Sequence, residues 1–494
     1  MTTPTETHRT ETSSRHRWLI LALIGLAQLM VVLDVTIVNI ALPSAQKALG
    51  FTNDARQWIV TAYALSFGGL LLLGGRLGDV FGRRRVFLTG VGGFALASAL
   101  GGTAQSFGVL VLARALQGGF AALLAPAALG LLTTTFTDPA ERNKAFAVFG
   151  GIAGSGAAVG LILGGALTQY LDWRWCMYVN LILAVPAALG AARLLVHDRA
   201  AAAGARIDLP GTLSASGGLF ALVYGFSNAE THGWGAALTI GALAAGVVLL
   251  VAFAAIEARS SHPLLPLRVV THRMRGGSYL AVAIVGAGIF GVFLFLTYYM
   301  QQTLGFSPLK TGLAFLPMIG TMMPVVALAQ TRLVPRLGTR PLVSTGMLLG
   351  AGGMLLFTGV SPHASYLTHV LPGLVVMGLA LALIMAPAMS AATAGVAPAD
   401  AGVASAMVNT GQQVGGSIGT ALLSTLSTSA ATAFARSHAH APDVLAQAAV
   451  HGYTTAFVWS AAIFLAGALV SWLLLPSGVP QTNPDAATEV VFAH

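Results

Sequence analysis

Apolar runs of about twenty residues, separated by short polar breaks, follow one another from Trp18 almost to the end of the chain. Each is long enough, as a helix, to cross a hydrocarbon core of roughly 30 Å. Runs near 18–43, 56–75, 86–104, 108–132, 144–169, 175–196, 209–227, 235–256, 277–300, 310–331, 342–360, 367–395, 403–428 and 454–475 predict fourteen spans. The one long break, 430–453, predicts an external loop with His438, His440 and His451, either a solvated loop or a pH-sensing or partner-binding lid. Residues 1–17 are polar and carry Arg9, Arg15 and Arg17, and the run after them reaches Pro43 without a small-residue cleavage site. It reads as a retained first span and not as a signal peptide.

Composition agrees with that pattern. Of the 494 residues 8% are charged and 56% hydrophobic, against roughly 25% charged in a soluble protein. The net charge of +9 would point to nucleic acid in a soluble chain, but here the arginines stand between hydrophobic runs and set orientation. With both termini in the cytoplasm, 19 of the 25 basic residues fall on that side, five fall outside and Arg114 lies within a span. The expectation is a multi-pass protein of a bacterial plasma membrane with lipid, not nucleic acid, around it. Cys176 is the single cysteine, which excludes an intrachain disulfide and a cysteine metal cluster.

The chain also repeats itself. GAAVGLILGGAL at 156–167 matches GQQVGGSIGTAL at 411–422 at six of twelve positions, an offset of 255, and RLGDVFGRRRVFLTG at 76–90 aligns on RLVPRLGTRPLVSTG at 332–346 at an offset of 256. Two segments with nearly one period predict two copies of a six-helix unit, with spans 7 and 8 between them. The expected organisation is a tail 1–17, a bundle 18–200, an insertion 201–258, a second bundle 259–476 and a tail 477–494. Duplicated bundles suit alternating access, in which two halves rock about a site between them.

Asp34, in LDVTIVNIALP, is the one acid in the interior of any predicted span. Such a residue costs about 2.5 to 3.5 kcal/mol at a helix centre unless it faces a cavity or a partner. Ala27, Met30, Val38 and Ala41 share its helical face, so a partner must come from another span or from water. Desolvation favours the neutral form of a carboxylate and a guanidinium the charged form, so a partner that moves can load or discharge a proton. Arg114, in LVLARALQGGFAA with Gln117 and Gly118 on its face, stays charged, so it can tune an acid but not carry the proton. Alternatively the two residues pair only to fix packing.

In GGRLGDVFGRRR, residues 74–85, Arg83 to Arg85 suffice as a topological anchor; Asp79 adds nothing to an anchor and is either a candidate latch between the halves or a solvated loop acid paired with a neighbouring arginine. Gly156, Gly160, Gly164 and Gly165 give span 5 a small-residue face for close helix approach. Span 13 carries Asn409, Gln412 and Gln413 at the matching place, where they are candidates for a substrate path. Tyr63, Phe290, Phe293, Tyr298 and Phe315 are candidates for apolar recognition.

Taken with the span count, these segments resemble the major facilitator superfamily, within it the fourteen-span drug:proton antiporters of the EmrB/QacA type. LDVTIVNIALP looks like their span 1 signature, GGRLGDVFGRRR their loop 2–3 motif, LVLARALQGGFAA their span 4 motif and GSGAAVGLILGG their span 5 antiporter motif. The span 5 motif usually has proline where this chain has Leu161. The resemblance implies an all-helical transporter in which Asp34 and Arg114 couple protons, Asp79 and Arg83 form a cytoplasmic gate, and Asn39 and Gln117 complete the signatures. Asn39, Tyr63, Gln117, Phe290, Asn409 and Gln413 are the expected substrate contacts. The expected activity is proton-driven export of lipophilic, often cationic drugs by a monomer without a cofactor; the alternative is a dedicated exporter of one metabolite or self-made antibiotic. No P-loop, HExxH or serine-nucleophile motif speaks for an enzyme.

Overall fold

The computed structural model describes residues 4–52, 55–136, 138–195, 208–260, 264–394, 396, 401–439 and 443–478; the side chains of Asp79 and Phe290 lie outside the described set. Regular structure among these residues is helical. The first half comprises α1 (Pro4–Leu49), α2 (Gln57–Phe81), α3 (Arg83–Gly102), α4 (Phe107–Thr135), α5 (Pro139–Tyr170) and α6 (Trp175–Leu194), followed by α7 (Leu209–His232) and α8 (Ala237–Arg259). After the short α9 (Leu267–Thr271) come α10 (Arg273–Tyr298), which ends in a π-helical turn Tyr299–Thr303, then α11 (Pro308–Ala314), α12 (Leu316–Leu328) and α13 (Val334–Leu337). The chain finishes with α14 (Thr339–Phe357), α15 (Leu371–Thr393), α16 (Ala401–Ser437) and α17 (Val444–Leu474).

Thirteen helical segments among the described residues are long and apolar enough to cross a membrane. The 25-residue α2, with a shorter apolar stretch at Gln57–Leu71, makes a fourteenth by length. Leu96, Leu213 and Leu469 point outward at 74%, 69% and 61% exposure, as side chains do when the solvent is lipid. The expected external loop at 430–453 is corrected: α16 runs on to Ser437 and α17 begins at Val444. The alanine-rich stretch there has high helix propensity and simply continues the span.

The repeat read in the sequence is a repeat of packing. Gly82 and Gly338, paired by the 256-residue offset, both have positive φ, 89° and 80°, and each directly precedes a helix, α3 and α14. In α5, a Cβ at Gly156 would press on Leu29, at Gly160 on Leu33 and Thr36, and at Gly164 on Ile37, all in α1. In α16 the paired glycines 411, 415 and 419 would press on Tyr279, Ala283 and Ala287, all in α10. Each half thus brings one glycine-faced helix against its first long helix. Helices α7 and α8 pack on one another, and α7 lies against α2 and α16, where Ser216 Oγ donates to Gly69 O over 2.6 Å.

One face of the molecule carries the arginine-rich turns Arg83 to Arg85 and Arg273 to Arg275. On the opposite face the halves meet: Gly165 abuts Pro308 and Leu309, Gly312 abuts Leu161 O, and Gln301 Nε2 donates to Ile40 O over 3.0 Å. Gly151 lies on nearly the same face of α5, fourteen residues before Gly165, and a Cβ there would have nothing within 4 Å. The α5 seam is closed at the opposite face, whereas no described atom lies beside Gly151 toward the arginine-rich one. The α2–α16 seam holds at mid-depth, where Thr410 Oγ1 donates to Gly68 O over 3.4 Å.

Candidate coupling site

Asp34 is fully buried within the first six helices, 0% exposed, and Ala27, Met30, Val38 and Ala41 of its helical face are buried with it. Its partners come from two other helices, α4 and α6. Arg114 Nη1 of α4 pairs with Oδ2. Oδ1 accepts from Gln117 Nε2 over 2.9 Å and from Asn180 Nδ2 of α6 over 2.7 Å. Ser98 Oγ of α3 lies 2.7 Å from Gln117 Nε2 and 3.3 Å from Asn180 Nδ2. Arg114 also donates to Gln117 Oε1 over 2.9 Å and from Nε to Ile59 O over 3.2 Å, and its guanidinium sits 4.4 Å from the centre of the Tyr63 ring.

Close helix approach makes this possible. A Cβ at Gly118 would collide with Tyr63 O, and one at Gly74 with Ala122 O, so α2 and α4 are in backbone contact. That contact holds the Tyr63 ring against Arg114. The carboxylate accepts three charge-assisted or amide hydrogen bonds, which is what a buried charge requires. Asn180 Oδ1, by contrast, has no partner.

The structure brings together Asp34, Arg114, Gln117 and Tyr63 from the residues singled out by sequence. Gln117 and Tyr63, at 0% and 1% exposed, offer no surface to a ligand in this conformation; they serve the carboxylate–guanidinium cluster. Asn39 is 5% exposed and gives its amide to Val35 O, one turn back in its own helix, over 3.0 Å. Gln413 lies in the α2–α16 seam beside Gly68, and Asn409 is half-buried one turn away. Arg83 Nη1 donates to Gly130 O over 2.9 Å, which ties α3 to the end of α4 within one half. Asp79, proposed opposite it, and Phe290 have side chains outside the described residues.

Gly156, Gly160 and Gly164 pack on α1, and Gly165 reaches across to α11. Leu161 keeps α5 an unbroken 32-residue helix and turns its carbonyl to Gly312. Sequence reasoning passed over Asn180 and Ser98. Asn180 leaves a signal, an amide in the apolar run WCMYVNLILAV, of the kind that hydrogen-bonds between membrane helices. A serine in an alanine-rich helix leaves none.

Comparison with known proteins agrees with this geometry. The Major Facilitator Superfamily profile matches residues 24–420. The chain is 52% identical to the puromycin resistance protein pur8 of Streptomyces alboniger over 99% of its own length and 98% of the relative's. It is 38% identical to the cephamycin export protein CmcT of Amycolatopsis lactamdurans over 93% of its own length and 94% of the relative's. Among solved structures, an auto-inhibited POT family peptide transporter superposes with a TM-score of 0.68 at 16% identity, covering 95% of this chain and 99% of that one. Such distant likeness speaks for the fold alone. Helical architecture, duplicated packing, profile match and full-length relatives have one reading: the chain is a multi-pass membrane transporter of the major facilitator superfamily.

Proposed function

We propose that this chain exports a lipophilic antibiotic across the bacterial plasma membrane in exchange for protons, and that Asp34 carries the proton. The arginine-rich face is cytoplasmic in this reading, following the distribution of basic residues. A compound then enters from the cytoplasmic side, a reading supported by the space that the described residues leave beside Gly151 of α5. The observation that carries the proposal is a fully buried carboxylate held by a permanently charged guanidinium and two amides, in the half that must rock. The names of the relatives, resistance to puromycin and export of cephamycin, support the substrate class.

The chemistry of the site fits a switch. Ionised, Asp34 holds Arg114, Gln117 and Asn180 in place. Protonated, it releases its hold on Arg114 and needs an acceptor for its own O–H. Asn180 Oδ1 is buried and unpartnered, so rotation of that amide supplies the acceptor. The two protonation states thus favour two arrangements of α1, α4 and α6. For a neutral cargo, one proton moving down a 100 mV potential supplies about 2.3 kcal/mol and a tenfold concentration ratio requires about 1.4, so one proton per cycle sustains a modest gradient; for a monocation the exchange is electroneutral and the pH difference alone drives it.

The test uses inverted membrane vesicles with an acid interior and puromycin as the transported compound. Wild type should accumulate puromycin and dissipate the pH gradient faster when puromycin is present, and Asp34→Asn should do neither. An Asp34→Asn protein that still exchanges puromycin for protons would place coupling elsewhere. Breadth is read separately, by whether expression protects cells from puromycin alone or also from unrelated lipophilic drugs; protection from one compound favours the dedicated exporter.

A further inference from the structure

Arg56 immediately precedes α2 and, by sequence, belongs with the charges outside the membrane. In the structure it is buried, 5% exposed. Its guanidinium lies 4.2 Å from the centre of the Tyr298 ring and 5.9 Å from that of Phe295, both on α10. Tyr453 of α17, whose ring is 6.1 Å from that of Phe295, completes the wall and interacts with the same guanidinium. Among the described residues no carboxylate forms an ion pair with Arg56, and its Nε has no acceptor.

A buried charge without a counter-ion is expensive, and aromatic faces offset part of that cost, the more so when the contact is desolvated. The wall is therefore built to hold a cation. The cation and the wall belong to different halves: Arg56 to the first, Phe295, Tyr298 and Tyr453 to the second. Tyr298 adjoins the π-helical turn Tyr299–Thr303, a rare geometry that concentrates at functional sites. From this turn Tyr299 bonds Ser361 O in its own half, over 2.8 Å, while Gln301 bonds Ile40 O in the other.

We propose that Phe295, Tyr298 and Tyr453 form a binding site for an organic cation, an ammonium or guanidinium group, which Arg56 plugs while this face is closed and vacates when it opens. What the site binds follows from this geometry; when it opens rests on the transport reading above. Parting of the halves withdraws Arg56 with α2 and leaves the ring faces of Tyr298 and Phe295 and the Tyr453 hydroxyl beside the exit. A cationic group then competes with Arg56 for the same place and delays closure. Arginine stays charged throughout the physiological range, so the plug is indifferent to pH, unlike a carboxylate switch.

The test uses the full chain in lipid nanodiscs, with tetramethylammonium as probe and sodium chloride and tert-butanol, a neutral molecule of nearly the same shape, as controls. In Arg56→Ala the cage has lost its own occupant, and tetramethylammonium alone should raise the melting temperature saturably; wild type should respond far less. Adding Tyr298→Leu should weaken the probe about thirtyfold, the size of one desolvated cation–π contact. Equal responses to tert-butanol and tetramethylammonium, or none to either, would overturn the proposal. If Arg56→Ala does not fold, Arg56→Gln, which keeps the length and removes the charge, carries the same comparison.

In vesicles the permanently charged probe distinguishes sources: slowing of export only from the outer side identifies a site open to free external cations. Competition only when the probe is loaded on the cytoplasmic side identifies a site reached by the cargo. The melting response must also survive Asp34→Asn, so failure of the coupling reading and failure of the cage are told apart.

Discussion

In the first half of the molecule the glycine face of α5 presses α1 at Leu33, and the next residue is Asp34; in the second half α16 presses α10 at Ala283, and the next residue is Ile284. The same comparison holds one helix further on. Gly118 of α4 abuts Tyr63 O, and Gly378 of α15 abuts Met318 O. Counting back from those glycines, Arg114 and Gln117 correspond to Leu374 and Met377, which are fully buried. Two halves with one packing scheme therefore differ in filling: a hydrogen-bonded charge cluster in one, aliphatic side chains and thioethers in the other. The apolar version shows that the scheme does not need the charges to fold. A charge cluster where apolar residues would serve supports the proposal that this half holds the coupling site.

The largest effect expected is from Arg114→Leu, which gives the first half the second half's residue and strands a buried carboxylate, a loss of about 3 to 5 kcal/mol. Thermal unfolding in detergent measures it. Adding Asp34→Ile should restore most of that stability while export stays absent; if the double variant is as unstable as the single, the halves are not equivalent here. Asn180→Leu removes a hydrogen bond to a charged group and should cost about 1.5 to 3 kcal/mol and slow proton-coupled export. An effect on stability without one on coupling would reduce Asn180 to packing. Gly160→Ala and Gly415→Ala test the shared part of the comparison: each overpacks a helix contact, at about 1 to 3 kcal/mol, with Gly415→Ala the costlier because its Cβ meets the Ala283 backbone where that of Gly160→Ala meets side chains of Thr36 and Leu33. Smallest is Ser98→Ala, which should cost about 1 kcal/mol, for two hydrogen bonds between membrane helices at about 0.6 kcal/mol each.

Much of this was legible in the chain. Span count, internal repeat and the pairing of Gly82 with Gly338 follow from hydrophobic runs and two aligned segments, because in lipid an apolar run has little choice but to be a helix. Asp34 and Arg114 stood out because ionisable residues are rare in spans. The loop at 430–453 was misread because weakly polar alanine-, serine- and threonine-rich sequence satisfies a helix as readily as a break. Gln117 and Tyr63 looked like cavity residues because each shows a polar or aromatic group on a helical face; which way that face turns depends on the neighbours.

Sequence by itself determined that this protein crosses a membrane many times, in two related halves, with one intramembrane acid. Those properties are local, set by transfer free energy and by short repeats. Tertiary structure alone decided that Asn180 and Ser98 join Asp34, that Arg56 leaves the aqueous side for an aromatic cage, and that the halves touch along α5 with α11 and α2 with α16. Those are relations between helices far apart in the chain, and only packing sets them.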